Sequence, residues 1–182
     1  MTGNLDVQWI HGVRSKNDDA APPIQVHRYD VNTYILRQSM AISHEAPFLF
    51  LLFGEDRAIL FDTGDSVYPG RLYAFDMPAF TASLDHLVDF AQARPVTHVM
   101  GCHIEMSRQP GKDYPLGTKY QPEEPPLQMS MAQLRTVRTA AQAAAAKPGI
   151  YVHADFIIVN GMGLKNTLRL LIRSTLQRLG LR

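Results

Sequence analysis

Ile24 to Tyr29 alternates apolar and polar residues with the period of two that a half-buried strand shows, and Thr33 to Gln38 is rich in β-formers. Asp30-Val31-Asn32 therefore reads as the link between two strands. Two apolar runs follow, Phe48 to Phe53 and Ala58 to Asp62, on either side of Gly54-Glu55-Asp56-Arg57, a spacing that predicts a hairpin. The first run is apolar throughout, so it is expected to be buried on both faces, as in a sheet with a covering layer on each side. From Asp76 the period becomes helical: Asp76 is placed to cap, Pro78 sits in the first turn, and Phe80, Leu84, Leu87, Val88 and Ala91 form one stripe up to Arg94-Pro95. Val96 to Met100 reads as a short strand ending at Gly101-Cys102-His103, and a loop rich in proline and glycine runs from Arg108 to Pro126. Ser130 and Gln133 make a capping box for a second helix with Leu134, Val137 and Ala141 on one side and Lys147-Pro148-Gly149 as its stop. Ile150 to Val159 supplies one or two further strands. This order predicts an α/β or α+β domain, not a helical bundle or an all-β barrel.

The pattern divides the chain into three parts. Residues 1–23, with Asp18-Asp19 and Pro22-Pro23, read as a flexible surface arm, and residues 24–160 form the body. Residues 161–182 form a basic amphipathic helix in which Lys165, Arg169, Arg173, Arg178 and Arg182 alternate with Leu168, Leu171, Ile172, Thr175 and Leu179, without an acidic residue. Such a helix ordinarily turns its apolar stripe onto its own core and leaves its cations solvated. Its spacing also fits contact with an anionic membrane surface or an acidic partner.

Charge changes the picture little. The 182 residues carry 18 Lys+Arg against 17 Asp+Glu, so the body has no field suited to nucleic acid. Cys102 is the only cysteine, which excludes an intramolecular disulfide and a cysteine-based zinc knuckle and fits a reducing, cytoplasmic setting. Met1 to Asn17 has no run of signal-peptide length, and Phe48 to Phe53 is too short to cross a bilayer.

Two places can carry chemistry. Asp62-Thr63-Gly64-Asp65 ends a strand, where carboxylates can bind metal or simply cap a turn. His103 follows another strand end and can be a zinc ligand or a hydrogen-bonded loop histidine. His11, His27, His44, His86, His98 and His153 show no H-x-H or H-x-x-x-H spacing. Cys102 and His103 are neighbours on an extended segment, where adjacent side chains point to opposite faces, so a thiol–imidazole pair is not expected. There is no G-x-S-x-G elbow, P-loop or G-x-G-x-x-G.

Several of these stretches resemble the metallo-β-lactamase-fold hydrolases. Glu45 to Gly54 with Ala58 to Gly64 looks like that family's opening hairpin, and Thr63-Gly64-Asp65 with Tyr68-Pro69-Gly70-Arg71-Leu72-Tyr73 resembles its later Thr-Gly-Asp turn. Gly101-Cys102-His103-Ile104-Glu105-Met106, followed by Asp113-Tyr114-Pro115, resembles the strand and loop carrying its last metal histidine. The likeness covers roughly residues 24 to 160. It implies an αββα sandwich and metal-assisted hydrolysis, with Asp65 matching the bridging aspartate and His103 the final histidine. The family's His-x-His-x-Asp-His motif has no counterpart, and its two separate Asp-Thr-Gly and Thr-Gly-Asp turns overlap here in Asp62-Thr63-Gly64-Asp65.

A catalytic zinc needs about three protein ligands and an activated water. Asp65 and His103 supply two, so the resemblance implies a partial αββα scaffold with weak zinc binding or none, and weak hydrolysis of a small-molecule substrate or none. The alternative is a non-catalytic binding protein that uses the remaining scaffold and the basic C-terminal helix. Loss of covering elements would also leave apolar sheet surface exposed and favour self-association.

Overall fold

The computed structural model describes residues 7–9, 22, 24–38, 47–56, 58–62, 69–93 and 99–181. Within them the chain is a mixed α/β structure of three helices and three small sheets. Strands β1 (Ile24–Arg28), β2 (Thr33–Gln38), β3 (Phe48–Phe53) and β4 (Ala58–Asp62) form an antiparallel meander in chain order. The link Asp30-Val31-Asn32 closes as a turn, with Tyr29 N–H donating to Thr33 O at 2.9 Å and Asn32 N–H to the Asp30 carboxylate at 2.8 Å. The hairpin expected around Gly54 is present, with Phe53 opposite Ala58 and Leu49 opposite Asp62.

The expectation that Phe48 to Phe53 is buried on both faces is corrected. Phe48 and Phe50 are buried, Leu49 and Leu51 are half-buried, and Leu52 and Phe53 are exposed. One face of the meander carries Ile35, Arg37, Phe48 and Phe50 and packs with Ile104 and Leu127. The other, with Val26, Leu36, Leu49, Leu51 and Phe53, has no comparable cover among the described residues. Most of the arm expected over residues 1–23 lies outside the described residues; within it, Trp9 belongs to the meander's core, with its ring edge-on to Phe48 at 4.9 Å. A large aromatic side chain buries enough apolar area to hold Val7 to Trp9 against the meander.

The strand that is covered on both faces comes late in the chain. β5 (Arg71–Ala74) pairs in parallel with β9 (Ile157–Asn160), which pairs antiparallel with β8 (Gly149–Val152). All four residues of β9 are buried. Ile158 and the preceding Phe156 join the core formed with α1 (Met77–Gln92) and α2 (Met131–Ala144), whereas Ile157 and Val159 pack with Met106 and with Leu170 of α3 (Leu164–Arg178). Central placement between two layers explains why an apolar strand sits there.

Both expected caps form. The Asp76 carboxylate accepts from Ala79 N–H at 3.0 Å, and Ser130 and Gln133 complete a reciprocal capping box. Leu134, Val137, Ala141 and Ala144 give α2 its buried stripe. α1 stops at Gln92, short of Arg94-Pro95, and Leu87 is 45% exposed instead of packed. The strand expected over Val96 to Met100 is seen as β6 (Val99–Met100), paired with β7 (Gln128–Met129); residues 94–98 lie outside the described residues.

The orientation of α3 is the largest departure. Asn166, Leu170 and Ser174 face inward, while Leu164, Leu168, Leu171, Ile172 and Leu179 are exposed. Polar anchors, described below, fix the inward side, so the apolar stripe points into solvent. Among the described residues no helix is long and apolar enough to cross a membrane.

Arg37 is fully buried in the meander's inner face, where its guanidinium makes two parallel bonds of 2.5 Å to the carboxylate of Glu124 and lies 4.8 Å above the Phe48 ring. Removing one partner of a buried pair strands the other charge, so Glu124→Ala is expected to cost about 3–5 kcal/mol. An Arg37→Met, Glu124→Leu double variant should lie within about 1.5 kcal/mol of wild type, because the charges leave together. Urea unfolding of the three proteins measures both values, and equal losses in the single and double variants would contradict this account.

Candidate functional site

The segment carrying His103 is fixed by its backbone. Phe48 N–H donates to Cys102 O at 2.8 Å, Gly101 N–H to Leu127 O at 3.4 Å, and both Glu105 N–H and Met106 N–H donate to Pro69 O, at 2.9 and 3.2 Å. Residues 101–106 thus bridge the meander and the entry to β5. His103 is buried there, at 6% exposure. Asp65 lies outside the described residues, so its expected partnership with His103 lies there too. Asp62 ends β4 opposite Leu49.

The carboxylates nearest in sequence to His103 are already occupied. Arg71, 3% exposed, donates from its backbone N–H to Glu105 at 2.8 Å and from its guanidinium to the other oxygen of Glu105 at 2.7 Å. The same guanidinium gives Asp113 Oδ2 bonds of 3.0 and 2.7 Å, and it also reaches the Tyr114 carbonyl. Asp113 Oδ1 accepts from Arg173 Nε at 2.8 Å and from the Gln177 amide at 2.7 Å. Asp113 therefore lies between two arginines, one on β5 and one on α3.

Burial raises the Asp113 carboxyl, but Arg71 and Arg173 outweigh it and hold the group below the usual carboxylate range. For Arg71, burial acts downward and the two carboxylates act upward, and the net result is a raised value. Tyr114 is pushed up to about 12, chiefly by burial, and its hydroxyl accepts from Glu123 N–H at 2.7 Å. It is no base at neutral pH.

This donor set does not fit a catalytic zinc. Recruiting Glu105 or Asp113 beside His103 would require breaking charge-assisted bonds to Arg71 or Arg173, leaving a buried guanidinium unpaired. Among the described residues, no group of three or more His, Cys, Asp and Glu side chains could hold a metal ion.

Two cavities adjoin these elements. A polar cleft of about 500 Å³ is bordered by Lys112, Asp113, Tyr114, Glu123, Arg173 and Gln177. An apolar one of about 420 Å³ lies between α1, α2 and β6, with Phe80, Leu84, Cys102, Met129 and Leu134 among its walls. The Cys102 side chain is buried at its edge.

The stretches Tyr68-Pro69-Gly70-Arg71-Leu72-Tyr73 and 101–106 carry the family resemblance, but nothing in the sequence pairs Arg71, Glu105, Asp113, Arg173 and Gln177 with one another. The available signal was charge balance. An arginine beginning an apolar strand, Arg71-Leu72-Tyr73-Ala74, demands a buried partner, although spacing does not say which carboxylate provides it.

Two titrations follow from these environments. Asp113 has a lowered folded value, so its stabilisation is present above the ordinary 3.8 and is lost as pH falls below it. Asp113→Asn is expected to cost about 3–5 kcal/mol at pH 7, with the gap to wild type narrowing below 3.8. His153 stacks on Phe156 at 4.4 Å and its Nε2 is buried without a partner; burial lowers its value below 6.5 against the opposing pull of Asp155. The unfolded chain therefore binds the extra proton first, and stability declines as pH falls through 6.5, a decline that His153→Gln should reduce. Chemical unfolding between pH 3 and 8 tests both; a gap that widens in acid for Asp113→Asn, or an unchanged decline in His153→Gln, would contradict the respective assignment.

Comparison of the chain with protein-family models, with curated proteins and with solved structures gives no match.

Proposed function

We propose that this chain is a binding protein built on a shortened scaffold of the metallo-β-lactamase type, a partial αββα sandwich that no longer supports efficient metal-assisted hydrolysis. The observation that carries the reading is the engagement of Asp113 and Glu105 by Arg71 and Arg173. Side chains that could replace missing metal ligands beside His103 are spent on holding β5, the 105–114 loop and α3 together. What remains of the ancestral zinc site in this reading is Asp65 and His103, two donors where about three are needed to position an activated water. The half-exposed outer face of the meander, with Val26, Leu36, Leu49, Leu51 and Phe53, supports a role in association, including association with itself.

Metal analysis and thermal melts with and without zinc test this directly. Ligand at a hundredfold excess over its Kd adds about 2.7 kcal/mol, which for a chain of this size is a rise of roughly 5–10 °C in Tm. The expected result is protein that folds without metal and shows a far smaller shift. Near-stoichiometric zinc that disappears in Asp65→Ala or His103→Ala would restore the hydrolase reading. Size-exclusion chromatography at rising concentration is expected to show self-association, and a stable monomer throughout would remove that part of the reading.

A further inference from the structure

We infer that the outward face of α3 is a docking surface for an anionic lipid bilayer, on which the helix lies parallel to the membrane plane. The inference rests on α3 alone and holds whether or not the scaffold binds metal.

The helix is mounted with its polar side inward. Asn166 donates its amide to the carbonyls of Asn160 and Gly161, at 3.0 and 2.7 Å. Arg173 bonds Asp113 and the Gly111 carbonyl, Ser174 accepts from Leu116 N–H at 2.9 Å, and Gln177 bonds both the carboxylate and the carbonyl of Asp113. These anchors flank Leu170, the one large apolar side chain of the helix that is buried, at 4% exposure. At 100° per residue, Leu164, Leu168, Leu171, Ile172, Thr175 and Leu179 then occupy a single arc of roughly 100° on the opposite side. The five aliphatic residues among them are 50–86% exposed. Beyond the helix ends, Met162 and Leu181 are exposed as well.

Charge selects the occupant. Lys165 and Arg169 border one edge of this arc and Arg178 the other, all three exposed, and no acidic residue follows Gly161. An apolar strip rimmed by cations matches the boundary between acyl chains and anionic headgroups, where aliphatic side chains insert and lysine and arginine reach phosphate. A second copy of α3 would bring these cations against their own kind without an acidic partner on the helix. Fifteen residues span about 22 Å, enough to lie on a bilayer as a fixed plate but too short and too charged to cross it.

Sedimentation of the full chain with vesicles tests the inference. Wild type should pellet with phosphatidylcholine vesicles containing phosphatidylserine and remain in solution with phosphatidylcholine alone, and added salt should release it. Lys165→Ala with Arg169→Ala should weaken binding on the order of 25-fold, and Leu168→Asp with Ile172→Asp by at least about tenfold. All four side chains are exposed, so unchanged circular dichroism melts verify that the variants are folded. Wild type that ignores anionic vesicles, or variants that bind them as wild type does, would overturn the inference. So would light scattering that finds a dimer dissolved by Leu168→Asp with Ile172→Asp, because the face would then belong to a second copy.

Discussion

Asp113 is the point on which the rest of the structure leans. Its side chain accepts from Arg71 on one oxygen and from Arg173 and Gln177 on the other, so the start of β5 and the middle of α3 are tied to the same residue of the 105–114 loop. Three charges withdrawn from water are tolerable only when they are paired, and Glu105 and the Gly111 and Tyr114 carbonyls take further guanidinium N–H groups, while the amide oxygen of Gln177 stays buried without a partner. Such a cluster discriminates strongly among arrangements, because shifting α3 by one residue would leave a guanidinium without a carboxylate. That specificity explains how a helix can be held with its aliphatic residues outward, forgoing the roughly 1.5–3 kcal/mol that full burial of each would contribute.

The same logic separates the two halves of the molecule. The meander is cemented on one face by Trp9, Ile35, Phe48 and Phe50 around the Arg37–Glu124 pair. The sheet of β5, β9 and β8 is covered by α1 and α2 on one side and by α3 with Met106 on the other. Residues 101–106 join the halves through backbone bonds to Phe48 and Pro69. His103 therefore stands at a structural seam, and a buried imidazole at such a place has a packing role independent of any metal.

Local chemistry was the part most legible in the sequence. Asp76 and Ser130 announced helix starts because capping needs only a side-chain oxygen and the next few N–H groups. The links at Asp30 and Gly54 were equally readable, since turn residues act over four positions. Burial was less legible: Phe48 to Phe53 and Ile157 to Asn160 are both rich in apolar residues, and only the tertiary arrangement decides that the second is central and that the first, among the described residues, is open on one side. The helix at the C-terminus was visible from its spacing, but its facing depended on Asp113 and Gly111, more than fifty residues earlier in the chain. For the candidate site, a strand end points to His103 in the sequence, while the arginine partners that decide what Glu105 and Asp113 can do leave no periodic trace.

The parallel pairing of β5 with β9 sets the order of events during synthesis. Arg71 meets Ile157 as its ladder partner, so the central sheet stays unfinished until residues 157–160 have left the ribosome. The meander, whose neighbours are adjacent in sequence, can close much earlier. Until β9 arrives, the core of α1 and α2 with Leu72, Ala74 and Met129 lacks Phe156 and Ile158, and the nascent protein passes through an interval in which chaperones have something to hold.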